Sequence, residues 1–426
     1  MSFLLASLPF LKVLAAFGLM LAGMRCRLSL GLSILGGAAL LGFLFGVGPV
    51  ALIRVGAGAL VGQKFLFLVA IVGLILMLSD ALDRAGQSRR LMGALSGYLT
   101  HPRFRLLFFP ALIGLLPMPG GAVFSAPMVG TVSERMPVTN TDRALINYWF
   151  RHVWELAWPL YPGIILTVAL ADIPIAALVS RTWPTVLFML GVGWFFFLRP
   201  GVLDLDGTTV VGEGVKGGSP AQVLREGMPL LVAIVGAVGL ESLIPVVTPG
   251  VPFEFGVVAA LVAAVACVMV QNRLGGAFLR QVLVKKSLHA MLFVVASIFI
   301  FKDVMQAADV VTAMAAAAGG KAALFAAAVF LPFLVGAVAG INVAFVGSTF
   351  PLLLGVLHTL GLEDQTVSYV ILASVAGFTG VMISPIHICF ILTCQFFNVE
   401  IGRTWRRLVL PCLCFAALGS GLFFVL

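Results

Sequence analysis

The chain has 426 residues, of which 61% are hydrophobic and only 10% charged, with a mean hydropathy of +1.14. A soluble domain carries about a quarter charged residues, so this composition excludes the soluble classes and assigns the whole chain to lipid. The net charge of +9 falls in the segments between apolar runs, where it reports topology and not a nucleic-acid partner.

Crossing about 30 Å of hydrocarbon takes about 20 apolar residues in a helix. Ten approximate spans meet that need: 3–23, 28–53, 65–82, 143–171, 175–198, 228–246, 253–271, 287–308, 366–395 and 405–426. The first lacks a basic leader region and a small-residue cleavage site, and it reads as a retained span. Two Pro/Gly-broken segments, 106–133 and 323–360, lie between the spans. The polar stretch 200–227 is the linker between a first half, 1–199, and a second half, 228–426.

The two halves repeat one another. Each has an apolar run ending in an aspartate, Asp80 or Asp303, followed by an interrupted segment. Pro110 and Gly114 align with Pro332 and Gly336 at a constant offset of 222 residues, and WPLYPGIILT (158–167) matches SPIHICFILT (384–393). Two similar halves with breaks in matching places form the sequence signature of a secondary transporter.

Basic residues set the orientation. If the chain starts outside, nineteen Lys and Arg face one side and four (Arg54, Lys64, Lys302, Lys321) the other. This positive-inside bias predicts both termini outside and the linker in the cytoplasm. Five crossings per half is an odd number, so the halves are expected to be inverted relative to one another. The fold class expected is an all-α polytopic membrane protein, with about ten transmembrane helices plus two re-entrant hairpins in two inverted-topology repeats.

In the first interrupted segment the legs, 106–116 and 122–132, are each about 16 Å long, half a bilayer. Its tip, PMPGG (117–121), cannot be regular helix, and a re-entrant hairpin over about 106–133 fits. Such a tip offers backbone groups to a ligand at the membrane midplane, which singles out Pro119, Gly120 and Gly121, with Ser125 behind them. The second tip, AGIN (339–342), brings in Asn342; its longer legs leave open either a hairpin over about 323–360 or two ordinary spans. Ser348, Thr349 and Ser384 offer hydroxyls to a substrate or Na⁺, or are satisfied by their own helices.

The fourth span, INYWFRHVWELAWPLYPG (146–163), holds Arg151, His152 and Glu155. Arg151 and Glu155 four apart would share a helix face and form a self-contained pair, or Arg151 would hold an anionic substrate while His152 or Glu155 couples transport to protons. Asp80 and Asp303 are further candidate coupling sites. No charges occupy the matching stretch of the second half. The cysteines Cys26, Cys267, Cys389, Cys394, Cys412 and Cys414 form no CxxC pair and read as small apolar fillers, without disulfide or metal site. No GxxxxGK[ST], HExxH or TVGYG pattern occurs, which gives no support to an ATP-driven pump, a metalloenzyme or a potassium channel.

PMPGGAVFSAPMVG, NYWFRHVWELAWPLYPG and the late GFTGVMISPIH together resemble an uncharacterised prokaryotic integral-membrane family grouped with gluconate permeases in the ion transporter superfamily. The resemblance implies inverted repeats, each with a re-entrant hairpin and a broken helix, in a homodimer that moves by an elevator-like mechanism. It implies no enzymatic activity and no cofactor beyond a coupling Na⁺ or H⁺. The paired Ser-Asn-Thr tips of the dicarboxylate branch are absent. The expected function is secondary active transport of a small organic anion, a carboxylate, in the cytoplasmic (inner) membrane. The rival expectation is a cation/proton antiporter without an organic substrate.

Overall fold

The computed structural model describes residues 2–99, 101–115, 121–205, 218–317 and 320–426. Among these residues the regular structure is helical, without strands, and ten helical segments are long and apolar enough to cross a membrane. The chain is accordingly a multi-pass helical membrane protein.

The helices fall into two sets of ten. The first set is α1 (Ser2–Arg25), α2 (Leu30–Leu44), α3 (Pro49–Ala59), α4 (Gln63–Arg84), α5 (Gln87–Ser96), α6 (Pro102–Gly114), α7 (Ala122–Val132), α8 (Asn140–Arg151), α9 (Pro162–Ala171) and α10 (Ile175–Gly193). The second is α11 (Pro220–Val247), α12 (Glu254–Gln271), α13 (Gly276–Leu283), α14 (Lys286–Ala307), α15 (Val310–Ala317), α16 (Lys321–Ala339), α17 (Asn342–Thr359), α18 (Thr366–Ile383), α19 (Ile388–Phe396) and α20 (Ile401–Gly421). Each helix of the first set has a counterpart ten places later.

Packing between the sets is reciprocal. α2 packs on α14 and its counterpart α12 packs on α4; α7 packs on α19 and its counterpart α17 packs on α9. Contacts that exchange in this way relate two units by an approximate two-fold axis. Within each half the same close approach recurs. A Cβ on Gly114 would collide with the Arg151 carbonyl oxygen, and one on Gly336 would collide with that of Gly377. Gly377 stands where the alignment of 158–167 with 384–393 puts the counterpart of Arg151.

Several boundaries differ from the sequence expectation. The run 28–53 is two helices, parted at Gly46 (φ +86°) and restarted by Pro49 at the first helical turn. A proline there needs no N–H partner. The run 143–171 is also two helices, α8 and α9, separated by ten residues. The linker is shorter than 200–227, because Ser219 caps Gln222 N and Pro220 starts α11. The legs of the interrupted segments differ: α6 and α7 have 13 and 11 residues, α16 and α17 have 19 and 18. At 1.5 Å per residue the second pair reaches about 27–29 Å, enough to cross a bilayer, whereas the first pair does not.

Candidate functional site

Two breaks build the site. In the first half, Thr139 caps α8 by accepting from Asp142 N, and the helix ends at Arg151 with all of 144–151 buried. Residues 152–161 are irregular until Pro162 opens α9. Tyr161, before the proline, is extended (φ −75°, ψ 130°), as a pre-proline residue prefers. Irregular backbone at membrane depth must be held by protein. Here the Trp154 indole donates to the Ala111 carbonyl at 2.8 Å and the Tyr161 hydroxyl donates to that of Gly114, tying the segment to α6.

In the second half, α18 ends at Ile383 and α19 begins at Ile388, so the run 366–395 is broken around Pro385. Ser384 Oγ donates to the Ala337 carbonyl at 2.7 Å, and the Trp405 indole donates to the Ile383 carbonyl at 2.6 Å.

Each hairpin tip rests on the break of its own half. A Cβ on Gly121 would fall on the Arg151 guanidinium; its φ of −55° is ordinary, so glycine serves close approach here and not backbone strain. Gly340 takes the left-handed conformation (φ +68°) that ends α16, and a Cβ there would stand 3.2 Å from His387 Cα. Polar contacts then join the halves. Asn342 Nδ2 donates to Glu155 Oε2 at 2.5 Å, and Asn147 Nδ2 donates to Thr393 Oγ1 at 3.0 Å. The Tyr148 hydroxyl donates to the Met382 carbonyl at 2.9 Å and lies 3.0 Å from His387 Nδ1.

A cavity of about 470 Å³ opens where these contacts meet. Arg151, Glu155, Tyr161, Asn342, His387 and Cys389 form its polar end, and residues of α2, α4 and α14, including Leu30, Leu76 and Phe293, form an apolar wall. Arg151 is only 3% exposed. A guanidinium beside a largely apolar cavity is suited to a carboxylate, which it can grip with two parallel hydrogen bonds. Apolar walls with a few convergent polar groups are the usual make-up of a small-ligand site.

Of the residues singled out in the sequence, Arg151, Glu155 and Asn342 line this cavity, and His152 lies buried beside it, its Nε2 3.6 Å from Glu155 Oε1. Arg151 and Glu155 do not share a helix face, because the helix stops between them; they reach one cavity through the turn instead. Gly121 abuts Arg151, and Ser384 supports the second break. Pro119 and Gly120 lie outside the described residues. Ser125 is buried in α7, its hydroxyl without a hydrogen-bond partner among the described residues. Ser348 and Thr349 donate to their own helix, to Ala344 O and Phe345 O at 2.7 Å each, and do not line the cavity.

The two aspartates are also elsewhere. Asp80 is paired with Arg84 at 2.8 Å and with Lys285, and Asp303 is a third exposed, 3.9 Å from Lys302. Sequence reasoning passed over Tyr148 and Tyr161 and read Cys389 as an apolar filler. Their signal is positional: Tyr161 and His387 are counterparts in the aligned 158–167 and 384–393 stretches, and both line the cavity.

The sequence profile of the family described as "Protein of unknown function (DUF401)" matches residues 11–205 and 232–426. The two matched blocks divide as the two sets of helices do. No curated protein matches the chain.

Proposed function

The chain belongs to the DUF401 family, and we propose that it is a secondary active transporter of a small organic anion, a carboxylate, coupled to H⁺ or Na⁺. One observation carries the reading: Arg151, buried at the end of an interrupted helix, presents its charge to a cavity where both halves meet. The substrate carboxylate binds Arg151, while the apolar wall of α2, α4 and α14 accepts its carbon skeleton. Glu155 and His152 take the coupling role.

The broader architecture follows the same reading. The halves are inverted repeats in the inner membrane, both termini outside, with the first hairpin re-entrant. The charge bias and the odd number of crossings per half support this, and the reciprocal packing supports the two-fold relation. Whether the longer second hairpin crosses twice or not at all, the parity is unchanged. The cavity lies between the broken helices and the α2–α4–α14 wall, which suits an elevator-like movement of one against the other in a homodimer. The antiporter reading has less support: Asp80 is paired with Arg84 and Lys285, Asp303 does not line the cavity, and Glu155, which does, is hydrogen-bonded by Asn342.

A thermal-shift screen of purified protein against organic anions, at two pH values with and without Na⁺, tests the proposal. A ligand of the folded state raises the melting temperature. The shift is expected in wild type and absent in Arg151→Met with Glu155→Leu, a double change that leaves no unpaired charge. A folded double variant that binds the anion like wild type ends the anchoring role. Topology is tested by a single cysteine placed within 206–217, which impermeant thiol reagents should fail to label in intact cells.

A further inference from the structure

We propose that the polar end of the cavity is also a metal site, binding one divalent transition-metal ion of borderline softness, for which Zn²⁺ is representative, through His152, His387 and Cys389. The inference uses the same cavity as the transport reading but does not depend on the anion; with the ion bound, His152 and Glu155 are held as ligands, so the coupling role assigned to them belongs to the metal-free state. The three side chains come from both halves, all are buried, and their ligand atoms lie within 4.8 Å of one another. Ligands on a tetrahedral ion with bonds of about 2.0–2.3 Å stand about 3.3–3.8 Å apart. Closing the set therefore takes side-chain shifts of about an ångström.

The hydrogen bonds fix where the lone pairs point. Tyr148 has one hydroxyl hydrogen, and the Met382 carbonyl receives it. The 3.0 Å contact of the same oxygen with His387 Nδ1 is then an N–H donating to the hydroxyl. His387 so keeps its proton on Nδ1 and its lone pair on Nε2. His152 Nδ1 lies 2.5 Å from the Tyr148 carbonyl, which can only accept, and His152 has the same tautomer. One residue, through its hydroxyl and its carbonyl, orients both imidazoles. This is the outer-shell arrangement that orients metal-ligating histidines.

On the inner side of the cluster the Cys389 S–H is a weak donor within reach of His152 Nε2. His152 Nε2 is buried and makes no hydrogen bond of normal geometry, and the group facing it is Glu155 Oε1 at 3.6 Å. A lone pair opposed to a carboxylate oxygen is repulsive unless a proton or a metal ion stands between them, and a metal ion there would bind both groups. Cys389 Sγ and His387 converge on the same space, which adds a soft ligand and a second imidazole. Thiolate with imidazole selects zinc-like ions over Na⁺ or Mg²⁺. A Cys389 thiolate and the Glu155 carboxylate would balance the charge of the ion, and Glu155 is placed to be the fourth ligand.

The test uses full-length protein in detergent, stripped of metal by a chelator and titrated with Zn²⁺, or with Co²⁺ as an optical probe. The expected result is one equivalent bound, with a thiolate-to-Co²⁺ charge-transfer band that Cys389→Ser abolishes and Cys412→Ser retains. In case Cys389→Ser fails to fold, wild type supplies a second measurement: Zn²⁺ should slow alkylation of Cys389 about tenfold or more while leaving exposed Cys26 unchanged. No stoichiometric binding by wild type, a band that survives in Cys389→Ser, or an unprotected Cys389 overturns the site. Anion affinity of the metal-free protein tests the transport reading separately.

Discussion

Arg151 and Gly377 are counterparts, and each carbonyl receives a close-packed glycine, Gly114 or Gly336. Beyond that contact the halves diverge. α8 stops at Arg151, whereas α18 runs on for six residues past Gly377 to Ile383. Position by position, His152, Trp154, Glu155 and Trp158 face Phe378, Gly380, Val381 and Ser384. The difference at 154 and 380 accounts for the longer break. A Cβ on Gly380 would collide with the Phe333 carbonyl, so a continuous helix fits there only without a side chain. Trp154 stands opposite the equivalent carbonyl, that of Ala111, and meets it by turning aside to donate its indole N–H. The duplication has kept the backbone crossings and freed the side chains, and the polar site is built from what each half no longer shares.

The largest expected effects test what the halves retain. Gly114→Val and Gly336→Val each drive a side chain into a backbone carbonyl that cannot rotate away. Each should cost about 3 kcal/mol, the upper end for overpacking, and lower the melting temperature by similar amounts. A wild-type melt for either one would break the equivalence. Gly121→Val differs in kind, because its obstacle is the Arg151 side chain. That variant should remain folded and lose anion binding; unimpaired uptake would reduce the tip to a structural turn.

Next in size is a change in the half that carries the charge. Arg151→Lys keeps the charge and loses the planar fork. Anion affinity should fall about tenfold or more, roughly 1.4 kcal/mol, with little change in stability. Affinity equal to wild type would show that charge alone suffices and would weaken the assignment of a carboxylate.

The architecture was largely legible before any coordinates. Apolar run length located eight of the ten helical segments long enough to cross a membrane, and the recurrence of Pro110–Gly114 as Pro332–Gly336 located the duplication. What periodicity missed were the interruptions. Run 28–53 carries no charge and run 143–171 is mostly apolar, and hydropathy does not register a φ of +86° at Gly46 or a helix that ends at Arg151. The site was half legible. Arg151 and Glu155 stand out as charges in lipid, but the i, i+4 rule that paired them assumes a helix that is absent. The union of His152 with His387 and Cys389 joins residues more than 230 positions apart, and no local spacing encodes it. Asp80 pairs with Arg84 four residues on, which local spacing encodes, and with Lys285 of the other half, which it does not.

A smaller effect should come from Trp154→Phe. It removes the indole donor to the Ala111 carbonyl and leaves that oxygen to the irregular segment. The expected cost is about 1 kcal/mol, the net worth of a typical hydrogen bond, read as a modest loss of melting temperature. No loss would mean that the first break is held by Tyr161 alone, and that the contrast with Gly380 is one of shape only.

The smallest effect opposes two serines in counterpart helices. Ser348 in α17 has its hydroxyl satisfied by the Ala344 carbonyl at 2.7 Å, whereas the Ser125 hydroxyl in α7 is buried without a partner among the described residues. Replacing Ser348 by alanine removes a made hydrogen bond and should lower stability by about 0.5–1 kcal/mol. Replacing Ser125 by alanine removes a desolvated hydroxyl that earns nothing in return, so stability should stay level or rise by a few tenths of a kcal/mol. Neither change should alter anion affinity, since neither residue lines the cavity. If Ser125→Ala instead weakens binding while the melt is unchanged, then the orphaned hydroxyl is a ligand group of the transported state. The first hairpin would then reach the substrate from a side that the present cavity does not include.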